Sequence, residues 1–315
     1  MFIHYGEHHT NLKRREYTMK SVVSYPNRGT GGNNKYRGNC SPKLIEDIIN
    51  QYHVMNLNDF MCGSGTTEDV CNTSGIESHC YDLNRGFDMI SMDIPVRSEN
   101  IMWHPPYDDI ITYSDSQYSA KMVMDKYGFD PRLNDLSRCG NWDTFVKKMN
   151  YCTLKQYSAL DKGGRMFILM GEIKKKGKLY SMLCDIAKPG TVEQIIIKMQ
   201  HNCFSEAKSY IGSFVPIVHE YLLVLRKDYA LVFDVSYSAH EQVDVRDKQT
   251  VTWRDVVYAV LEEHGRQLPL SNIYRLIEGH KKCDSNKHWK EKIRQVLQTY
   301  PQFTSCKEGI WGLAA

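Results

Sequence analysis

Apolar positions along residues 40–230 switch repeatedly between helical and strand spacing. Leu44, Ile45, Ile48 and Ile49 form one helical face behind Ser41-Pro42, a capping residue followed by a first-turn proline. Val54 to Phe60 then reads as a short strand, the turn Gly63-Ser64-Gly65 follows, and Thr66-Thr67-Glu68-Asp69-Val70 opens a helix. A second strand, Ser78 to Tyr81, ends in Asp82, and a third spans Asn100 to Trp103. Phe145, Met149, Cys152 and Tyr157 give a helix across 142–160 that Gly163-Gly164 ends; Met166 to Met170 continues as a buried strand. Leu179 to Ala187 reads as a helix, Pro189-Gly190 as a turn, and Val192 to Met199 and Glu220 to Leu225 as the last strands. This alternation predicts an α/β domain with a doubly wound, mostly parallel sheet and an antiparallel hairpin at its end. Ligands in such sheets bind beyond the carboxyl ends of the strands, where Gly63, Asp82 and Pro105 would gather.

The pattern changes from about residue 245. Thr252 to His264 is a helix with Trp253, Val256, Val257, Val260 and Leu261 inward, stopped by Gly265. Ser271 caps a second helix ending at Gly279, and Ser285 or Asn286 starts a third with Trp289, Ile293, Val296 and Leu297 inward. Lys287, Lys290 and Arg294 fall on another face of that helix, and residues 303–313 close the chain as a short hairpin. The division expected is a flexible arm over 1–20, a main domain over 21–244 and a small domain over 245–315. The arm carries Lys13-Arg14-Arg15-Glu16 and is either loosely docked or a nucleic-acid contact. The long polar segment 108–141 is a lid or a recognition element.

Composition narrows this only modestly. With 42% hydrophobic and 24% charged residues the chain is an ordinary globular protein, and a net charge of +3 requires any polyanion-binding surface to come from local clustering. No apolar run is long enough for a bilayer and the start lacks a signal-peptide core, so a cytoplasmic protein without membrane contact is expected. Ten cysteines without a Cys-x-x-Cys pair imply buried thiols, no disulfides and no metal.

Two stretches carry the chemistry: Asn58-Asp59-Phe60-Met61-Cys62-Gly63-Ser64-Gly65-Thr66-Thr67, and Trp103-His104-Pro105-Pro106-Tyr107-Asp108. In this order, each after a short strand, they resemble the amino DNA methyltransferases, which methylate adenine N6 or cytosine N4 from S-adenosylmethionine (SAM). The resemblance spans about residues 35–227 and implies a Rossmann-like class I SAM methyltransferase fold. It implies SAM binding by Arg37-Gly38-Asn39, by Asp59, Phe60, Cys62, Gly63, Ser64, Gly65, Thr66 and Thr67, and by Asp82 at the ribose. Met61 stands where a proline is common, and either Asp88 or Asp93 would lie near the SAM adenine; Asp135-Leu136-Ser137 resembles a segment after the catalytic loop in some members. Catalysis falls to His104, Pro105, Pro106 and Tyr107. Acceptors must hold the amino hydrogens while the nitrogen attacks, and Pro106 leaves the Pro105 carbonyl without a competing N–H. Tyr107 would stack on a base rotated out of its helix.

The departure is His104, where the family carries Asp, Asn or Ser. A histidine accepts a hydrogen bond only as neutral imidazole, so turnover should fall as it protonates; alternatively it is structural and Pro105 accepts alone. Adenine is favoured over cytosine, although histidine does not decide the base. Residues 245–315 resemble the winged-helix modules attached to restriction and modification enzymes, which implies double-stranded DNA as partner and Lys287, Lys290 and Arg294 as its contacts. A solvated basic face on a protein-interaction domain is the other reading of that stripe. The interval from Gly65 to Pro105 is too short for an inserted recognition domain, so a stand-alone modification enzyme is expected, with a homodimer left open. An RNA amino methyltransferase and a catalytically silent DNA-binding regulator remain alternatives, whereas a dehydrogenase fits less well because the loop lacks a third glycine.

Overall fold

Strand β4 (Leu160–Lys175) supplies the frame, since Met166 to Met170 are buried on both of its faces. It belongs to a computed structural model that describes residues 18–201, 213–232, 234–237 and 251–314. The basic cluster of the expected N-terminal arm, most of the loop that joins the last two expected strands and the expected boundary after residue 244 lie outside the described residues. Two compact units are present, Met1–Ser238 and Ala239–Ala315.

In the first unit β3 (Ser98–Trp103) runs parallel to β4, with Ile101 opposite Met166 and Trp103 opposite Ile168. β2 (Asn58–Asp59) is parallel to β3, and single bridges from Asn56 to Glu77 and from Asp59 to Cys80 extend the sheet beyond it. On the other side β8 (His219–Arg226) is antiparallel both to β4 and to β7 (Thr191–Met199). β1 (Val22–Ser24) adds to β7 in parallel at the edge. The order β1-β7-β8-β4-β3-β2 is thus the expected mostly parallel α/β sheet, with the expected antiparallel hairpin at its end.

Alternating side chains feed two cores. Ile101, Trp103, Met166, Ile168 and Met170 pack with Phe145, Met149 and Tyr157 of α4 (Trp142–Ala159). Met102, Phe167 and Leu169 pack on the opposite face with Leu44, Ile45 and Ile48 of α1 (Pro42–Tyr52) and Val70 of α2 (Thr66–Ser74).

Several local expectations need correction. Leu179 to Ala187 is not one helix: β5 (Lys178–Ser181) hairpins onto β4, only Met182–Asp185 is helical, and the short β6 (Lys188–Pro189) follows. The cause is the two-residue turn Lys176-Gly177, both at positive φ, which matches strand twist and returns the chain antiparallel. The 108–141 segment contains a helix, α3 (Ala120–Tyr127), capped by the Ser119 side chain. Ser41 precedes α1 without capping it, because its hydroxyl donates to the Arg28 carbonyl instead.

The second unit has its own core of Val256, Val260, Ile273, Ile293, Leu297 and Phe303. Its helix Trp253–Glu263 starts with a capping box between Thr252 and Asp255. Strand Gln267–Pro269, helix Leu270–Ile277, a short turn Lys281–Asp284 and helix Trp289–Thr299 follow, and then strands Phe303–Lys307 and Ile310–Leu313. The last strand lies between the other two, antiparallel to both. Ser271 lies inside its helix, which begins after Pro269, and the helix ends at Ile277, ahead of Gly279. The third helix starts later than Ser285 or Asn286, at Trp289, and a separate turn precedes it at Lys281–Asp284, capped by the His280 side chain accepting from the Lys282 N–H. Lys287 therefore sits before the last helix, and only Lys290 and Arg294 lie on it.

Leu223 on β8 is fully buried while its cross-strand neighbour Ile195 is 43% exposed. Leu223→Ala is expected to cost about 2–5 kcal/mol in denaturant unfolding and Ile195→Ala under about 1 kcal/mol. Equal losses would contradict this placement of the core.

Candidate functional site

Beyond the carboxyl ends of β2 and β3 lies a cavity of about 840 Å³, part of it open to solvent. Gly38, Asn39, the 59–64 loop, Thr66 and Thr67 line one side; Leu83, Phe87, Asp88 and Met89 line another; His104, Pro106, Tyr113, Tyr118, Asn134 and Asp135 complete it. The chain reaches it through left-handed turns. At Gly38, φ is +81° and a Cβ would fall 2.1 Å from the Tyr113 hydroxyl, so any side chain there would be strained and would displace that ring.

Four aspartates face this space, Asp59, Asp82, Asp88 and Asp135, and no Lys or Arg lines it among the described residues. All four are buried, and each is held by donors from the local chain. Asp82 accepts from the Gly63 N–H at 2.8 Å and the Asn84 N–H at 3.1 Å, which ties the expected strand Ser78 to Tyr81, present here only as extended chain with a single bridge at Cys80, to the glycine turn. Asp59 accepts from the Met61 N–H at 3.0 Å and the Thr67 hydroxyl at 2.7 Å. Asp88 accepts from the Ser91 hydroxyl and from the Asn134 amide, both at 2.6 Å. Asp135 holds the backbone N–H and the hydroxyl of both Ser114 and Ser137, which folds the 108–141 segment back on itself beside the site. Burial still outweighs these donors at two positions: it pushes Asp59 up to about 7 and raises Asp82 as well.

A second constellation surrounds the His-Pro-Pro-Tyr motif. Gly171 on β4, Glu220 on β8 and Lys198 on β7 occupy one cross-strand row. The Tyr107 ring lies on Gly171, where a Cβ would meet it at 2.5 Å. The Tyr107 hydroxyl donates to Glu220 Oε1 at 2.7 Å and is 3.0 Å from His104 Nε2, while Lys198 Nζ donates to Glu220 Oε2 at 2.5 Å. Burial alone would push Glu220 up; Lys198 and the hydrogen bonds outweigh it and hold the carboxyl below its ordinary value. Burial pushes His104 down to about 4, so the ring is neutral at pH 7.

Most residues singled out from the sequence converge here. Gly38, Asn39, Asp59, Phe60, Cys62, Gly63, Ser64, Thr66, Thr67, Asp82, His104 and Pro106 line the cavity, as does Asp88, whereas Asp93 is exposed and outside it. Arg37, Gly65, Pro105 and Tyr107 do not line it. The Arg37 N–H donates to Gln117, Gly65 caps α2, Pro105 is buried, and Tyr107 is turned to Glu220. Local sequence pattern gives no sign of Tyr36, Tyr113, Tyr118, Asn134, Glu220 or Lys198, beyond marking the tyrosine-bearing 108–141 segment as a whole. In the second unit Lys287, Lys290 and Arg294 are all exposed, with Lys290 over the Tyr274 and Trp289 rings and Arg294 paired with Glu291. Among the described residues no group of three or more His, Cys, Asp or Glu is arranged to hold a metal, and no helix is long and apolar enough to cross a membrane.

Asp59 gains a proton on folding as its value moves from 3.8 to about 7. Between those values the unfolded chain is the less protonated, so this group's contribution to stability falls as pH rises through the window. Melting temperature against pH should therefore decline less steeply between about pH 4 and pH 7 in Asp59→Asn than in the native protein. Parallel curves would show that Asp59 does not titrate there.

No family model and no curated protein matches the chain. Similar solved structures include a protein from Thermus thermophilus provisionally named a DNA modification methylase (14% identity, 60% of this chain and 57% of that one, TM-score 0.26). TrmN from Thermus thermophilus overlaps at 14% identity over 61% of this chain and 50% of that one, with a TM-score of 0.26. A SAM-dependent methyltransferase from Archaeoglobus fulgidus overlaps at 11% identity over 61% of this chain and 96% of that one, with a TM-score of 0.30. The chain thus spans little more than half the length of the two Thermus proteins, and superpositions this loose assign no chemistry.

Proposed function

We propose that the protein is a SAM-dependent methyltransferase acting on the exocyclic amino group of a base in DNA, with adenine N6 the favoured target. The observation that carries this reading is a cavity lined by four aspartates and, among the described residues, no Lys or Arg, with His104 and Pro106 at one end. Such a lining repels the phosphates of a dinucleotide and suits a nucleoside bearing a positive charge. SAM supplies a methyl group on a sulfonium. The residues present fit it: Asp82 has lone pairs left for ribose hydroxyls, Asp88 and Asn134 offer an acceptor and a donor for the adenine, and Thr66 and Thr67 open a helix beside Gly63 and Asn39 for the methionyl end.

On the target side the chain's work is positioning. The Pro105 carbonyl and the neutral His104 ring accept the amino hydrogens and so keep the nitrogen lone pair directed at the methyl. Tyr107, braced on Gly171, offers its remaining ring face to an extruded base. The second unit, read as a winged helix, supplies duplex contacts through Lys287, Lys290 and Arg294; its three main helices and its strand order, with the last strand in the middle, support that reading.

Incubation with SAM and unmethylated duplex DNA, followed by digestion and mass spectrometry of the nucleosides, should yield N6-methyladenine. N4-methylcytosine would reverse the choice of base, product on RNA alone would reverse the polymer, and SAM binding without any product would leave a silent regulator. His104→Ala should lower kcat by roughly 10²-fold or more, the scale of one lost transition-state hydrogen bond, with SAM affinity retained. An unchanged rate would remove His104 from the reaction. Replacing Lys287, Lys290 and Arg294 by alanine should flatten the dependence of log K on log salt by about 0.9 for each phosphate that is no longer neutralised. An unaltered slope would make this face a solvated surface.

A further inference from the structure

The cross-strand row beneath Tyr107 bears on a question that the motif leaves open, namely which nitrogen of His104 carries its proton. Glu220 is buried, and its two oxygens accept from different partners, Lys198 on one and Tyr107 on the other. An ionised carboxylate has no proton to give, so the 2.7 Å contact between Glu220 and Tyr107 consumes the single phenolic proton. The 3.0 Å contact between Tyr107 and His104 Nε2 can then be a hydrogen bond only if Nε2 is the donor. A neutral imidazole protonated on Nε2 has a bare Nδ1, and among the described residues no hydrogen bond reaches that atom.

We infer that Lys198, Glu220 and Tyr107 form a one-way hydrogen-bond relay that fixes His104 as the Nε2–H tautomer and keeps Nδ1 as the acceptor offered to the target amino group. The relay rests on the proposed function for its purpose, although not for its geometry. It gives a reason why histidine can stand where a side-chain oxygen is usual: with its tautomer fixed, imidazole has one acceptor of invariant position. It also assigns work to two residues far from the motif in sequence. Glu220 and Lys198 are positioning residues, set on adjacent antiparallel strands so that the charge at the end of the relay cannot move. Gly171 belongs to the same device, because a side chain there would lift Tyr107 off the row.

Glu220→Gln tests the direction of the relay. An amide has one acceptor oxygen, which Lys198 would claim, and its NH2 would then face Tyr107. The phenolic proton would turn to Nε2 and force the ring proton onto Nδ1, converting the acceptor into a donor. The experiment is 15N NMR of the full-length protein labelled in histidine, with His104→Asn used to assign the ring, since bare and protonated ring nitrogens resonate far apart. The expected native state at pH 7 is Nε2 protonated and Nδ1 bare, with the two exchanged in Glu220→Gln and kcat lowered by roughly 10²-fold at unchanged KM for SAM. Tyr107→Phe, which keeps the ring on Gly171 but cuts the relay, should give a mixture of tautomers. A native ring protonated on Nδ1, or on both nitrogens, would overturn the proposal, and that spectrum needs no variant other than the assignment control to fold. A native Nε2–H ring in a protein that methylates no polynucleotide would support the relay while sinking the functional reading, so the two fail separately.

Discussion

Packing four carboxylates around one cavity is the constraint that most of the first unit answers. Each acid loses hydration on burial, and since no Lys or Arg lines the space among the described residues, compensation comes mainly from dipoles of the chain itself, with Arg138 near Asp135 as an addition. The glycine turn donates to Asp82, the start of α2 donates to Asp59, and the serines at 114 and 137 close on Asp135. These bonds hold each acid to its own stretch of chain, and the Asn134 amide on Asp88 ties the 108–141 segment to the opposite wall, so the site and the local backbone conformations depend on each other. Incomplete compensation is visible in the raised values of Asp59 and Asp82, a field that a cation entering the cavity would relieve.

The site around Glu220 works by the opposite rule. There one ammonium is buried together with one carboxylate, and the pair sits in a sheet whose register leaves it no alternative arrangement. Buried ion pairs of this kind contribute little net stability compared with apolar residues of similar size, so a role in specifying orientation accounts better for their presence. The chain therefore surrounds its cavity with acids held mainly by local donors, and beneath Tyr107 it closes one acid with one ammonium.

Much of this was legible in the sequence because it depends on local signals. Period-two strands, the Gly63-Ser64-Gly65 turn, Asp82 after a strand and the proline pair after another all act over a few residues, and they were enough to place one end of the cavity. The parts that escaped depend on tertiary partners. Glu220 and Lys198 look like ordinary strand residues until antiparallel pairing sets them opposite each other beneath Tyr107. The Lys176-Gly177 hairpin was hidden by the apolar Leu179 to Leu183 run, which satisfies helical spacing equally well. Ser41 and Ser271 are good capping residues whose surroundings offered something better, an Arg28 carbonyl in one case and an earlier start at Pro269 in the other.

The first strand in sequence, Val22–Ser24, pairs with residues 197–199 at the sheet's far edge. A ribosome must therefore release nearly two-thirds of the chain before that edge can close, and the His104 motif emerges long before the hairpin that is to fix it. Loops this long close slowly, because entropy is lost before any contact repays it. The cavity's glycine turn and acids can assemble early from neighbouring segments, whereas the ring at 104 acquires its orientation only when the last strands dock. On this order of events, the acid-lined cavity is complete before the ring beside it is held in place.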